Sequence, residues 1–146
     1  MTIEKTVYIK KPISDVFQAW TDDKIITKWF CPEADIKPKK YGRYWLFFDP
    51  PNREENSTIG CKVLEIETNK KLVFNWKGSE IFADVMNFPD DLTTVELTFS
   101  SVDDNHTKLS LEHFGWRSSE DWQAALRWYQ NEWNKVLNNL KAFLEA

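Results

Sequence analysis

Between residues 118 and 146 the large apolar side chains fall at Trp122, Leu126, Tyr129, Trp133, Val136/Leu137, Leu140 and Phe143/Leu144. Steps of three and four residues put them on one stripe of an α-helix. No Gly or Pro interrupts the run. Ser118 offers a cap for the first backbone N–H groups, and Glu120 and Asp121 sit at the positive end of the helix dipole. About 27 residues at ~1.5 Å each give a helix about 40 Å long. A stripe of that length needs a matching apolar surface, and the strand-like chain before it is the only candidate.

That earlier chain alternates. Residues 2–10 place Ile3, Val7 and Ile9 on one side, as a first strand does. Pro12 ends it and suits the first turn of a helix. Ile13, Val16, Phe17 and Trp20 then repeat at helical spacing, and Thr21-Asp22-Asp23 caps a second short helix running to Lys28. Residues 34–37 read as a short strand, and 43–49 as a longer one with Tyr44, Leu46 and Phe48 on one face. Trp45 and Phe47 take the other face, an unusual choice for a face that meets water. Residues 57–68 form a strand whose alternation slips at Val63-Leu64, as a β-bulge makes it do, with Gly60 as a fitting bulge residue. Asn69-Lys70 turns the chain into a strand carrying Leu72, Phe74 and Trp76. Residues 78–91 fit a helical turn or a strand extension, a long connection of the kind that is more often functional than merely connective. Residues 93–100 and 107–114 are two further strands, the first turning Val95, Leu97 and Phe99 inward and the second Leu109, Leu111 and His113.

The expected fold is therefore α+β. One domain spans residues 1–146: a curved antiparallel sheet wrapped around a long C-terminal helix, with two short helices after the first strand. The gap between sheet and helix is the expected place for a site. Composition sharpens this. Eight Trp, ten Phe and four Tyr are more aromatic mass than a small core needs, and a ligand cavity or an interface uses such side chains. A net charge of −4 argues against nucleic acid or an anionic membrane as partner, and the longest apolar run is far too short to span a bilayer. Lys37, Lys39, Lys40 and Arg43 form one basic stretch, read as a solvated loop or as a docking patch. Cys31 and Cys61 stand far apart, and the first residues lack the apolar core of a signal peptide, so a reducing cytoplasm is expected.

The pieces Pro12-x-x-x-Val16-Phe17-x-Ala19-Trp20-Thr21-Asp22, Thr27-Lys28-Trp29-Phe30, Gly42-x-Tyr44 and Val63-Leu64-Glu65-Ile66 stand in the first half of the chain. Lys71-Leu72-Val73-Phe74-Asn75-Trp76, Thr107-Lys108-Leu109-x-Leu111-x-His113 and Trp133-x-x-x-Leu137-x-x-Leu140 follow. In this order the sequence resembles the activators of the 90-kDa heat-shock protein ATPase, within the START-like (Bet v-like, SRPBCC) superfamily of helix-grip folds. Two positions depart from the pattern. Tyr41 replaces the first of a glycine pair, and Asn131-Glu132-Trp133 stands where Gly-Trp is usual. The resemblance implies one of three activities: binding of an apolar or amphipathic small molecule between sheet and helix, cyclisation or dehydration chemistry there, or a stress-response role stimulating a chaperone ATPase.

On this reading the ligand-binding candidates are Tyr44, Phe48, Phe74, Trp76 and Phe99 from the strands, with Trp122, Tyr129 and Trp133 from the helix. His113 joins them as a polar group that orients a ligand or exchanges a proton, or else as a core-edge histidine with a backbone partner. Trp128 lies off the main stripe, at the cavity edge or on the surface. The scattered His and Cys residues make no zinc pattern, so neither metal nor cofactor is expected. Glu80, Asp84 and Glu112 make no carboxylate pair by spacing. No nucleophile elbow or phosphate-binding glycine loop is present, so nothing here establishes catalysis. The expected partner is a small apolar or aromatic ligand. The alternative is a protein partner, a chaperone or a second copy of the chain.

Overall fold

The computed structural model describes residues 1–146. Strand β1 (Thr2–Ile9) turns Ile3, Val7 and Ile9 inward and is followed by helix α1 (Ile13–Thr21), which starts directly after Pro12. Helix α2 (Asp23–Ile26) begins where the Asp22 carboxylate accepts the Lys24 backbone N–H at 2.9 Å. Strands β2 (Glu33–Ile36) and β3 (Tyr44–Phe47) then pair antiparallel. Strands β4 (Val63–Glu67), β5 (Lys71–Trp76), β6 (Thr93–Asp103) and β7 (His106–Phe114) form an antiparallel meander. β1 pairs with β7, so the sheet order is β1-β7-β6-β5-β4. Helix α3 (Ala83–Met86) lies in the connection from β5 to β6, and helix α4 (Glu120–Glu145) closes the chain. This is the helix-grip α+β arrangement that the alternation and the long stripe predict. No helix is long and apolar enough to cross a membrane.

The long helix buries the expected stripe: Trp122, Leu126, Tyr129, Trp133, Leu137 and Leu140, with Ala125 between them. Its cap is Ser119 rather than Ser118. The Ser119 hydroxyl accepts the Trp122 N–H at 3.3 Å, and the backbone of Ser119 is extended, as a cap requires.

Two further expectations need correcting. The sheet is not continuous, because β2 and β3 form a separate two-stranded ribbon. Residues 57–68 do not form one strand: before β4 they keep only isolated bridges, Ser57 to Phe47 and Lys62 to Arg43, and between these the Thr58 hydroxyl donates to the Tyr44 carbonyl and accepts from the Leu46 N–H, each at 2.8 Å. This side chain ties the ribbon to the segment before β4 together with backbone bonds, among them the Thr58 N–H to the Leu46 carbonyl at 2.9 Å. The bulge falls between Val63 and Glu65, as the slipped alternation predicts, whereas Gly60 lies before the strand in a turn closed by the Cys61 N–H on the Thr58 carbonyl.

Most of the gap between sheet and helix is filled. Tyr44 and Phe74 stack at 4.1 Å, and the Tyr44 hydroxyl donates to the Trp20 carbonyl at 2.7 Å. Phe99 meets Phe17 edge-on at 5.2 Å. Trp45 and Phe47 do take the opposite face of β3, but neither is bare. The guanidinium of Arg53 sits 3.9 Å from the Phe47 ring centre, and that of Arg43 sits 5.7 Å from Trp45. Cationic planes over aromatic faces shield both rings from water.

Candidate functional site: an aromatic pocket beside the long helix

Within the gap between sheet and helix a pocket stays open where β5 runs out beneath the middle of α4. The helix contributes Trp128, Tyr129, Glu132, Trp133 and Val136 on successive turns. Opposite stand Phe30 after α2, Phe48 at the end of β3, Asn56 and Ser57, and the run from Trp76 to Ser79. The free volume is about 240 Å³. The walls are mostly aromatic rings in contact with one another. Phe30 stacks on Trp76 at 6.2 Å and meets Phe48 at 5.5 Å, while Trp76 meets Trp133 at 5.2 Å. The Trp128 ring packs against Phe82 and Tyr129 at 5.6 and 4.8 Å.

The segment from Gly78 onward forms the polar side. With no sheet partner, its backbone is held by side chains. Asn87 clamps Gly78 at both ends, accepting its N–H at 2.7 Å and donating to its carbonyl at 3.1 Å. Tyr129 accepts the Ser79 N–H at 2.9 Å, and Asn56 accepts the Glu80 N–H at 2.6 Å. Two polar groups here have no partner although they are buried: the indole N–H of Trp76 and the hydroxyl of Ser79. Both come close enough to the Tyr129 hydroxyl to favour its ionised form, but neither reaches it in hydrogen-bonding geometry. Burial dominates there and pushes the Tyr129 phenol up to about 12, so it is protonated at neutral pH.

His113 lies behind this pocket rather than in it. It is fully buried, and Trp133 donates its indole N–H to Nδ1 at 2.9 Å. An indole only donates, so Nδ1 accepts and the proton sits on Nε2. Nε2 then donates to the Thr93 hydroxyl at 2.8 Å, which passes its own proton to the Trp76 carbonyl at 3.4 Å. The relay thus fixes two pocket walls, Trp76 and Trp133. Burial lowers the imidazole to about 3, so it stays neutral.

Of the candidates read from the sequence, Phe48, Trp76, Tyr129 and Trp133 come together around the pocket. Tyr44, Phe74, Phe99 and Trp122 lie in the filled core. His113 has both ring nitrogens engaged, which leaves none for a ligand. Trp128 stands at the pocket mouth, about a third exposed. Sequence reasoning misses Phe30, Ser57, Lys77, Ser79, Glu132 and Val136. Phe30 carries a signal, since it closes the Thr27-to-Phe30 motif; Ser79 carries none, because only the fold aims it inward.

Comparison with known proteins agrees with this architecture. A family model described as Activator of Hsp90 ATPase homolog 1-like protein matches residues 10–145. No curated protein sequence matches the chain. An HSP90 activator from Plasmodium falciparum is 26% identical, with 99% of this chain and 96% of that one covered at a TM-score of 0.76. A Mesorhizobium loti protein aligns at 21% identity, covering 99% of this chain and 97% of that one at a TM-score of 0.75. The Aha1 dimer from Colwellia psychrerythraea aligns at 22% identity over 99% and 96% of the two chains, at a TM-score of 0.71. The chain is a member of the Activator of Hsp90 ATPase homolog 1-like family.

Proposed function

We propose that this domain binds a small aromatic or apolar molecule in the pocket between β5 and α4, without making or breaking a covalent bond in it. One observation carries the reading: an aromatic-walled hollow that none of the chain's own side chains fills. An apolar cavity of about 150 Å³ admits one benzene ring. About 240 Å³ therefore suits a molecule of one to two rings. The non-catalytic half of the reading rests on what surrounds it. Acid–base catalysis at neutral pH needs a group that titrates near neutrality, whereas His113 is held at about 3 and Tyr129 at about 12. Burial likewise raises both cysteine thiols to about 12, which leaves no thiolate nucleophile.

A ligand that binds only the folded chain stabilises it by RT ln(1 + [L]/Kd), roughly 2.7 kcal/mol at a hundredfold excess over Kd. Thermal unfolding against a panel of one- and two-ring compounds is expected to give at least one saturable rise in Tm. A panel without any such rise would sink the reading.

A second reading follows from the family: a protein-interaction module acting on a chaperone ATPase. The Plasmodium falciparum relative is described as an HSP90 activator. In this chain Lys37, Lys39, Lys40 and Tyr41 are all exposed, a basic surface with an aromatic at its centre. Adding the purified domain to an Hsp90-type chaperone while measuring ATP turnover tests this. An unchanged rate together with no detectable complex rules it out.

A further inference from the structure

Resting on the pocket proposed above, the inference concerns the charge of its occupant. On α4, Trp128, Glu132 and Val136 stand four residues apart, so they form one row along the helix wall with the carboxylate in the middle. An acid is an unusual member of that row, because much of the remaining lining is aromatic. The Glu132 side chain is 34% exposed, and its one ion pair, with Lys135 at 3.8 Å, joins it to a side chain that is 74% exposed. A pair that open to water holds a carboxylate loosely. The Glu132 carboxylate also lies close enough to the Tyr129 phenol to oppose its ionisation, which puts it on the pocket side of the helix.

Lys77, the other charged residue of the lining, does not balance it. Trp76 turns inward, so the next side chain along the chain turns to the other face. The Lys77 ammonium acts on the Cys61 thiol and lies 3.7 Å from where a Cβ on Gly60 would stand, and neither of those residues lines the pocket. The pocket rings have no cation of their own either. The chain sets its cations over Tyr41, Trp45 and Phe47, and none over Trp128, Phe30 or Phe48. These last three are walls that an occupant reaches: Trp128 is 36% exposed, and Phe30 and Phe48 are partly buried. A loosely held carboxylate beside such rings suits a cationic guest. A methylated ammonium fits better than a primary amine, whose compact charge is strongly hydrated. We infer that the pocket takes a small aromatic molecule carrying a quaternary ammonium, with its ring in the hollow beside Phe30 and Phe48 and its cationic head at the mouth, against the Trp128 ring and the Glu132 carboxylate. At the mouth the head keeps part of its hydration, so no charge is carried into the apolar interior.

Trimethyl(3-hydroxyphenyl)ammonium and 3-tert-butylphenol test this, because they share one shape and differ by one positive charge. Affinities are measured calorimetrically on the wild type, Glu132→Gln and Trp128→Leu. Both side chains are partly exposed, so neither substitution empties the core. The cation is expected to bind the wild type at least about fivefold tighter than the phenol, a factor within the range of one cation–π contact. Glu132→Gln and Trp128→Leu are each expected to narrow that preference, and Glu132→Gln to leave the phenol's affinity within about twofold, since the phenol brings no charge for the carboxylate to hold. Equal affinities, or tighter binding of the phenol, overturn the assignment of charge and leave the pocket standing. A preference that survives either substitution in full overturns it too, because that side chain then does not hold the cation. If neither compound binds, the inference falls, and the pocket reading falls with it only where the broader panel also gives no rise in Tm.

Discussion

His113 has one donor and one acceptor to place, and the fold supplies a partner for each, in Thr93 and Trp133. The consequence is a pH dependence with a definite sign. Its ordinary value of 6.5 falls to about 3 in the folded chain because burial disfavours the charged ring. Above pH 6.5 the folded and unfolded chains carry the same neutral imidazole, and its contribution to stability is complete. Between 6.5 and 3 the unfolded chain takes up a proton that the folded chain refuses, so stability is lost as pH falls through that window. The slope is about 1.4 kcal/mol per pH unit. Urea unfolding at pH 7 and pH 5 is expected to show the wild type losing about 2 kcal/mol more than His113→Gln over that interval. Parallel losses in the two proteins would mean that the ring is not held neutral. Tyr41 illustrates a different cost at this scale. It departs from the family's glycine, and it sits at φ +66°, where a side chain is strained. Its ring rests between the Lys40 and Lys62 ammonium groups at 5.2 and 5.9 Å, which offsets some of that strain. Tyr41→Gly is expected to raise the unfolding free energy by up to about 1 kcal/mol, read from the same urea curves.

At the level of elements, legibility follows how the backbone hydrogen bonds are satisfied. β6 and β7 satisfy theirs in long ladders with their neighbours and α4 along its own length, so a period of two or of 3.6 in the sequence is enough to find them. The caps and the stretch from Ser57 to Cys61 are different. Ser118 and Ser119 are chemically identical, and only the backbone angle at Ser119 selects the cap. Thr58 adds its hydroxyl to a pairing reduced to isolated bridges, a contribution that no periodicity records. The connection from β5 to β6 is the extreme case: it passes through short helical turns at Glu80–Phe82, α3 and Pro89–Asp91. Its start depends on the two Asn87 hydrogen bonds to Gly78. Asn87→Ala is expected to cost about 1–3 kcal/mol and to speed amide hydrogen exchange from Gly78 through Met86, leaving exchange in β6 and β7 slow. Uniform acceleration across the sheet would show that the clamp supports the whole fold instead. Gly78 is constrained from the other side. A Cβ there would lie 2.6 Å from the Met86 sulfur and 3.2 Å from its Cβ, so Gly78→Ala forces the Met86 side chain to move and presses on α3. Overpacking of this kind costs about 1–3 kcal/mol.

Across the whole molecule, the sequence carries the layers of the fold but not the boundary between filled and empty space. Tyr44, Phe74 and Phe99 share the same inward alternation as Phe48 and Trp76. Yet the first three close on Trp20, Phe17 and each other, and the last two border a hollow. What separates them is where β5 ends and the chain leaves the sheet at Lys77, a property of three-dimensional reach rather than residue type. The hollow itself has a stability cost, since its lining atoms forgo the contacts that a packed neighbour would give them. That allows fold and function to be set against each other in one substitution. Val136 lines the pocket from α4 and is only half-buried, so a larger side chain there has room to lean into the hollow without displacing the core. Val136→Phe is expected to keep Tm at or above the wild-type value and to abolish any ligand-induced rise in Tm. A core position gives the opposite pattern: Leu97→Ala, fully buried in β6, is expected to cost about 2–5 kcal/mol. Because its side chain is remote from the pocket lining, ligand affinity below the new Tm should be largely kept. If Val136→Phe instead lowers Tm sharply, the space is not free. The aromatic walls would then be part of the packed core, and the search for a binding surface would move to the exposed basic face around Tyr41.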